Sequence, residues 1–65
     1  MMEFKDKILR ARALLNLTQE ELAKQLGVSF NTINRWENGK VKPTKVAKLR
    51  FDEYCRKNGV LLEVR

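Results

Sequence analysis

The sequence predicts an all-α protein, a compact bundle of four short helices with a short extended segment after the last one. Apolar side chains recur every three or four residues in separate stretches, which is the period of a helix and not of a strand. Between those stretches stand residues that favour helix ends: threonine, serine, asparagine, glycine and one proline. A chain of 65 residues forms one domain at most, so its core must be small.

The first predicted helix runs from Glu3 to about Leu15. Apolar residues spaced by four, three and four positions place one stripe on it: Phe4, Ile8, Ala11 and Leu15. Asn16 suits the left-handed residue that ends a helix, and Leu17 then packs back against the helix end. The connection to the next helix should therefore be short.

The second predicted helix has a clear start and a clear stop. The Thr18 hydroxyl can accept from the third helical N–H while the Glu21 carboxylate accepts from the Thr18 amide, which is a capping box. Leu22 and Leu26 lie one turn apart on one face. Gly27 follows where a left-handed residue would close the helix.

The third predicted helix begins at Phe30, directly after Ser29, a second good N-cap. Ile33 and Trp36 are apolar at helical spacing, and the pair Asn38–Gly39 ends the helix. Two helices joined by about three residues that include a glycine match the helix-turn-helix unit. Neither helix is stable alone at this length.

A fourth helix is predicted from Lys45 to about Lys57. Pro43 keeps the residue before it out of the helical region, and Thr44 can cap the helix that begins after it. The expected inward stripe, with the place of Leu49 left open, is Val46, Ala47, Phe51, Tyr54 and Cys55. A cysteine in such a stripe is a small core side chain rather than a nucleophile or ligand.

A turn at Asn58 and Gly59 divides the predicted helical domain, residues 1–58, from a C-terminal segment, residues 59–65. The segment is too short for a stable helix, and its branched residues suit an extended conformation. It could fold back on the core, pair with a second copy, or begin a further domain. We favour the first two together, since antiparallel pairing across a two-fold axis would satisfy its backbone.

The stretch from Leu17 to Lys42 resembles the helix-turn-helix of the phage-repressor and Cro type, the XRE family. Members show a T/S-Q-x-E-L-A start, a G-V-S turn and a W-E-N-G-K-x-x-P finish. The matching residues, within a similarity that covers roughly Ile8 to Tyr54, are Thr18-Gln19, Glu21-Leu22-Ala23, Gly27-Val28-Ser29, Trp36-Glu37-Asn38-Gly39-Lys40 and Pro43. The resemblance implies a lambda-repressor-like bundle in which helices 2 and 3 form the motif. It also implies a structural ion pair between Arg12 and Glu37.

The side of the third helix opposite Trp36 carries three amides and a guanidinium: Asn31, Asn34, Arg35 and Asn38. An enzyme would need a perturbed acid, base or nucleophile there, and this face has none. Asn can instead pair with adenine and Arg with guanine in the major groove. Family geometry places the first turn of this helix deepest in that groove, so the candidates for base contact are Phe30, Asn31, Asn34 and Arg35.

Phe30 departs from the family pattern, because many members have a polar residue there. If it faces DNA, it can make only apolar contact, for instance with a thymine methyl group. It also lies only about 60° from Ile33 around the helix, so it could instead extend the edge of the core. We favour the groove.

A second set of residues is better placed for phosphate: Gln19, Thr32, Asn38, Lys40 and Lys42. Gln19 stands at the first helical position, where exposed N–H groups and the helix dipole favour an anion, and the matching glutamine of the family makes such a contact. The alternatives are an indifferent surface residue for Gln19 and plain solubility for the two lysines.

The charge of the chain is uneven. Fourteen Lys and Arg against eight Asp and Glu give +6, and the stretch from Asn38 to Phe51 holds five basic residues and no acid. Such a cluster favours polyanions, although scattered lysines more often form a solvated face. Beside a helix-turn-helix we favour nucleic acid.

Other classes of function have little support. The longest apolar runs are three residues, which excludes a membrane span. The N-terminus lacks the apolar core of a signal peptide and the single Cys55 cannot form an internal disulfide, so we expect a cytoplasmic location. With no histidine, no Gly-rich phosphate loop and no metal-ligand spacing, we expect no metal, no cofactor and no enzymatic activity.

The sequence therefore predicts a sequence-specific module for double-stranded DNA that acts as a homodimer, with repression of transcription as its role. One alternative is a protein-interaction or dimerisation module, for which Phe30 is the best support. Another is the DNA-targeting part of a larger regulatory, restriction-modification or toxin-antitoxin system.

Overall fold

The computed structural model of the protein describes residues 3–61. It contains four helices: α1 (Phe4–Leu15), α2 (Gln19–Leu26), α3 (Phe30–Asn38) and α4 (Lys45–Lys57). No strand occurs among these residues. The predicted all-α class and the order of four helices are confirmed. None of the four helices has the length and apolar content that a bilayer crossing requires.

Side-chain caps begin three of the helices. Thr18 Oγ1 accepts from the N–H of Glu21 at 3.1 Å, and Glu21 Oε1 accepts from the N–H of Thr18 at 2.8 Å, so the capping box is complete. Ser29 and Thr44 cap α3 and α4 through their hydroxyls. The bond from the Thr18 backbone lowers the pKa of Glu21. This cap therefore stabilises the fold above the ordinary carboxyl pKa and is lost as the pH falls through the lowered value.

Each helix ends in the same backbone motif. A left-handed residue lies at or just beyond the helix end, and the N–H of the residue after it donates to a carbonyl five positions back. The left-handed residues are Asn16, Gly27, Gly39 and Gly59. Gly27 matters most, because it turns the chain from α2 into α3 at φ 73°, where a residue with a side chain would be strained.

The core forms where the four helices meet. Its buried residues are Ile8, Ala11, Leu22, Ala23, Ile33, Trp36, Phe51, Cys55 and Val60. The Phe4 ring packs edge-on against two of these side chains. Its centroid lies 5.2 Å from the centroid of the Trp36 ring and 5.4 Å from that of the Phe51 ring. Among residues 3–61 no polar residue is buried. The core is thus apolar throughout and joins the start of α1 to α3 and α4.

α4 buries a narrower stripe than the sequence predicts. Phe51 and Cys55 are buried, but Val46 is 65% exposed and Leu49 64%. Val46 lies about 140° around the helix from Phe51, so a helix that contacts the core along one line turns Val46 to solvent. The inward orientation expected for Val46 is wrong, and Leu49 also lies outside the core.

The chain returns to the core after α4. Val60 is only 7% exposed, and its N–H donates to the Cys55 carbonyl at 2.8 Å. Arg10 Nε on α1 donates to the Leu61 carbonyl at 2.8 Å. Up to Leu61 the segment therefore folds back, as in the first of the three interpretations. Residues 62–65, with their expected extended conformation and pairing, lie outside the described residues.

Truncating Val60 should destabilise the domain. Val60→Ala removes two buried methyl groups, and we expect the free energy of unfolding to fall by about 1 to 2 kcal/mol. Leu61→Ala is the matched control, because Leu61 is 72% exposed, and it should change that free energy by less than about 0.5 kcal/mol. Urea denaturation followed by circular dichroism measures both. Equal losses would contradict the placement of Val60 in the core.

Candidate nucleic-acid interface

α3 has one buried side and one open side. Ile33 and Trp36 are buried where α3 packs against α1 and α2. On the other side Asn31, Arg35 and Asn38 are exposed, while Asn34 is half-buried. The structure thus brings together the four polar residues predicted for this face, and the face is open to solvent.

Some of these polar groups are already paired with one another. Asn38 Nδ2 donates to Asn34 Oδ1 at 2.7 Å, one helical turn away. At the start of the same helix Thr32 Oγ1 lies 2.9 Å from the hydroxyl oxygen of Ser29. These side chains are therefore ordered before any ligand binds, and each keeps further donors or acceptors for a partner.

Phe30 stands at the junction of α2 and α3. It is 43% exposed and borders a shallow depression together with Thr18, Glu20 and Lys24. It is not one of the buried or partly buried apolar residues that form the core. Its ring therefore presents an apolar edge to solvent beside Asn31.

The Glu37 carboxylate, near the end of α3, connects three helices. Arg12 Nη1 on α1 donates to both Glu37 oxygens, at 2.9 and 2.8 Å, and Arg12 Nε donates to the Leu17 carbonyl at 3.1 Å. Gln19 Nε2, on the first residue of α2, donates to Glu37 Oε1 at 2.9 Å. The ion pair implied by the family resemblance is present in the structure.

Sequence reasoning missed the contact between Gln19 and Glu37. Gln19 stands at the start of α2, as expected, but half-buried and with its amide turned to the carboxylate. The two residues are 18 positions apart and belong to different helices. No local pattern could have indicated the contact, because it depends on how α2 packs against α3.

The basic residues lie on the surface beyond α3. Lys40 and Lys42 are exposed in the loop that leads to α4. Lys42 borders a depression together with Lys48, which is also lined by Glu3 and Asp52. Carboxylates therefore balance part of the positive charge near Lys42.

The thiol of Cys55 is buried in the core and does not belong to the exposed face of α3. Burial raises the pKa of the free Cys55 thiol to about 11, so this cysteine stays protonated at neutral pH and is a poor nucleophile. Within residues 3–61 no three His, Cys, Asp or Glu side chains cluster as a metal site. The exposed face of α3 and the loop after it offer hydrogen-bond donors, acceptors and positive charge.

A helix-turn-helix family model matches residues 8–46, which include all of α2, the turn and all of α3. The chain belongs to the XRE-type helix-turn-helix family. In this helix-turn-helix domain the buried side of α3 packs on α2, and the turn at Gly27 joins the two helices. The ion pair between Arg12 and Glu37 links the C-terminal part of α3 to α1.

Three curated relatives match part of this helix-turn-helix domain. The HTH-type transcriptional activator BcrR of Enterococcus faecalis is 52% identical over 42 residues, 65% of this chain and 21% of that protein. The uncharacterized HTH-type transcriptional regulator MJ0272 of Methanocaldococcus jannaschii is 58% identical over 40 residues, 62% of this chain and 61% of that protein. The type II methyltransferase M1.ScrFI of Lactococcus lactis subsp. cremoris is 48% identical over 52 residues, 71% of this chain and 13% of that protein.

The chain therefore spans between 13% and 61% of the lengths of these three relatives. No solved structure matches it significantly.

Removing one partner of the ion pair should destabilise the domain more than removing both. Arg12→Met leaves the Glu37 carboxylate, 9% exposed, without its cation, and we expect the free energy of unfolding to fall by up to about 3 kcal/mol. Arg12 is 26% exposed, which keeps the loss below that of a fully buried pair. The double variant Arg12→Met/Glu37→Met should recover part of the loss, because two apolar side chains can pack together. Additive losses in thermal unfolding would contradict this account.

Proposed function

We propose that this domain binds double-stranded DNA with sequence specificity, as part of a transcriptional regulator, with α3 in the major groove. The observation that best supports this is the two-sided character of α3, apolar and buried on one side, rich in amides and open on the other. Membership of the XRE-type family and the names of two relatives as transcriptional regulators support the same function.

Four side chains on α3 are the proposed base contacts. Arg35 can bind guanine O6 and N7 through two nitrogens, and Asn31 can bind adenine N6 and N7. The exposed edge of Phe30 next to Asn31 suits the methyl group of a thymine. Asn34 is the fourth, with its amide already held by Asn38.

A second group of side chains would contact phosphate and position α3 in the groove: Gln19, Thr32, Asn38, Lys40 and Lys42. Lys40 and Lys42 supply charge from the loop after α3, where both are exposed. Gln19 supplies a neutral amide at the start of α2, where the first N–H groups of the helix also point outward. These contacts carry no sequence information by themselves.

We further propose that two copies act together, each placing α3 in one of two successive major grooves about one helical turn apart. A second copy doubles the number of base contacts and so raises discrimination among sites. Repression is the role that we propose, since occupying a promoter requires DNA affinity alone. Such a regulator would work in the cytoplasm and would not itself be an enzyme.

A second candidate is the DNA-targeting part of a larger protein. The similarity to 13% of a type II methyltransferase and to 21% of an activator favours it, because in both the similar region is a minor part of a long chain. In this case the DNA contacts would be the same, and the activity would belong to another domain.

Binding to mixed-sequence duplex DNA should weaken steeply with salt. If Lys40 and Lys42 each neutralise one phosphate, the logarithm of the association constant should fall against the logarithm of salt concentration with a slope of about 2 per domain. Fluorescence anisotropy across a salt series measures this slope. Negligible affinity even at low salt would contradict DNA binding and favour a protein-interaction module.

Base and phosphate contacts should respond differently to substitution. Selecting bound sequences from a pool of random duplexes identifies the operator, the preferred binding site. If the selected sequences are symmetric, they would support binding by a dimer. Asn31→Ala should lower the discrimination between operator and random DNA by about 1 to 3 kcal/mol, because it removes a base contact. Lys42→Ala should weaken binding to both DNAs alike, because it removes only charge. If both variants lose affinity in the same pattern, the assigned roles are wrong.

A further inference from the structure

We infer that Glu37 positions the Gln19 side chain for its contact with a DNA phosphate, in addition to pairing with Arg12. The inference rests on the proposed DNA-binding function and names a residue that acts at that interface without contacting DNA. Glu37 would act through the hydrogen bond that Gln19 Nε2 donates to Glu37 Oε1 at 2.9 Å.

The chemistry of the pair decides which end of the Gln19 amide faces inward. A carboxylate only accepts hydrogen bonds, whereas an amide has a donating nitrogen and an accepting oxygen. Arg12 Nη1 already donates to both Glu37 oxygens, so Glu37 acts as an acceptor here. Gln19 must therefore turn its nitrogen to Glu37, and it keeps the second Nε2 hydrogen for another acceptor.

The carboxylate is itself held in place. Its two bonds to Arg12 restrain it from one side, and its side chain is 9% exposed. Arg12 in turn is anchored by the bond from its Nε to the Leu17 carbonyl, one residue before the Thr18 cap. Gln19 is therefore held through Glu37 and Arg12 to the Leu17 carbonyl, two residues before Gln19 in the chain.

Other donors lie beside the Gln19 amide. The first N–H groups of any helix lack acceptors inside it, and in α2 the N–H of Glu21 is taken by Thr18 Oγ1. The N–H groups of Gln19 and Glu20 come before it, on the same first turn. An oriented Gln19 amide adds a side-chain donor to these two backbone donors, and phosphate oxygens accept from such groups.

The benefit of this arrangement is that the Gln19 side chain is ordered before DNA arrives. A free glutamine would lose rotamer freedom on binding, and that loss corresponds to about a 2- to 10-fold decrease in affinity. The effect should be the same for operator and random DNA, because phosphate carries no sequence information. It should leave the salt slope unchanged, since a neutral amide adds no charge.

A double-mutant cycle on the full chain tests the inference. Glu37→Asp keeps the negative charge but is one methylene shorter, which draws the carboxylate away from Gln19 Nε2 and from Arg12 Nη1. The long Arg12 side chain can follow the carboxylate, whereas the hydrogen bond to Gln19, at the fixed start of α2, is lost. Gln19→Met keeps the length of the side chain and removes its hydrogen bonds. Affinity for a mixed-sequence duplex is measured by anisotropy below the unfolding temperature of every variant. Each single variant should bind about 2- to 10-fold more weakly, and the double variant no more weakly than Gln19→Met.

The inference would be overturned if the fold-decreases in DNA affinity of the two single variants multiply in the double variant. It would also be overturned if either single variant binds DNA as tightly as the unsubstituted protein. Neither result would contradict DNA binding itself. Failure of the unsubstituted protein to bind any duplex would instead overturn the proposed function, and the inference with it. The two failures are therefore distinguishable.

A measurement on the unsubstituted protein does not depend on the folding of any variant. Gln25 is the internal control. It is exposed, and its hydrogen bond with the Tyr54 hydroxyl uses the amide oxygen Oε1 and not the side-chain NH₂. In NMR spectra the Gln19 side-chain NH₂ should exchange with water more slowly than that of Gln25 and should shift when duplex is added. Equal exchange of the two amides would contradict the inference.

Discussion

Burial of Ile33 and Trp36 is the constraint on which the rest of the structure depends. α3 has only nine residues, and a helix of that length does not hold together in water through its own hydrogen bonds. It persists because these two side chains are buried against α2 and against α1, whose first residue, Phe4, packs on the Trp36 ring. The same burial decides which side of α3 is exposed, so the packing that stabilises α3 also determines which side chains form the proposed interface.

The hydrogen-bonded group of Arg12, Gln19 and Glu37 adds polar contacts between helices to this apolar packing. It lies at the edge of the core, where partial exposure reduces the cost of removing charges from water. A pair of this kind adds less net stability than its short distances suggest, yet it specifies how helices are placed relative to one another. Here one carboxylate sets α3 against α1 and also contacts the first side chain of α2.

The proposed interface combines two kinds of side chain. Short polar groups near α3 are ordered within the protein, as in the pair Asn34–Asn38 and the bond from Gln19 to Glu37. Long cationic groups such as Lys40 are exposed in the loop. Ordered groups suit contacts that depend on geometry, because less entropy is lost on binding. Flexible cations suit contacts with the phosphate backbone, because their attraction acts over several ångströms and depends little on orientation.

Local sequence patterns were sufficient to predict the helices. Caps such as Thr18 and left-handed stops such as Asn16 and Gly27 act within a few residues, so their physical effect is readable from neighbours in the chain. The apolar period likewise predicted the buried side of α3, and with it the open side. The family resemblance supplied the pair Arg12–Glu37, which spacing alone does not indicate.

Tertiary packing decided what neighbours in the chain could not. Val46 falls at helical spacing from core residues, but the line along which α4 contacts the core turns it to solvent. The sequence after Gly59 is compatible with three placements, and the burial of Val60 in the core selects the one that folds back. The bond between Gln19 and Glu37 joins residues 18 positions apart, and such contacts depend on helix placement, which no local period encodes. By itself the sequence determined where helices begin and end and which side of each is apolar; the assembled core decided which of those side chains meet.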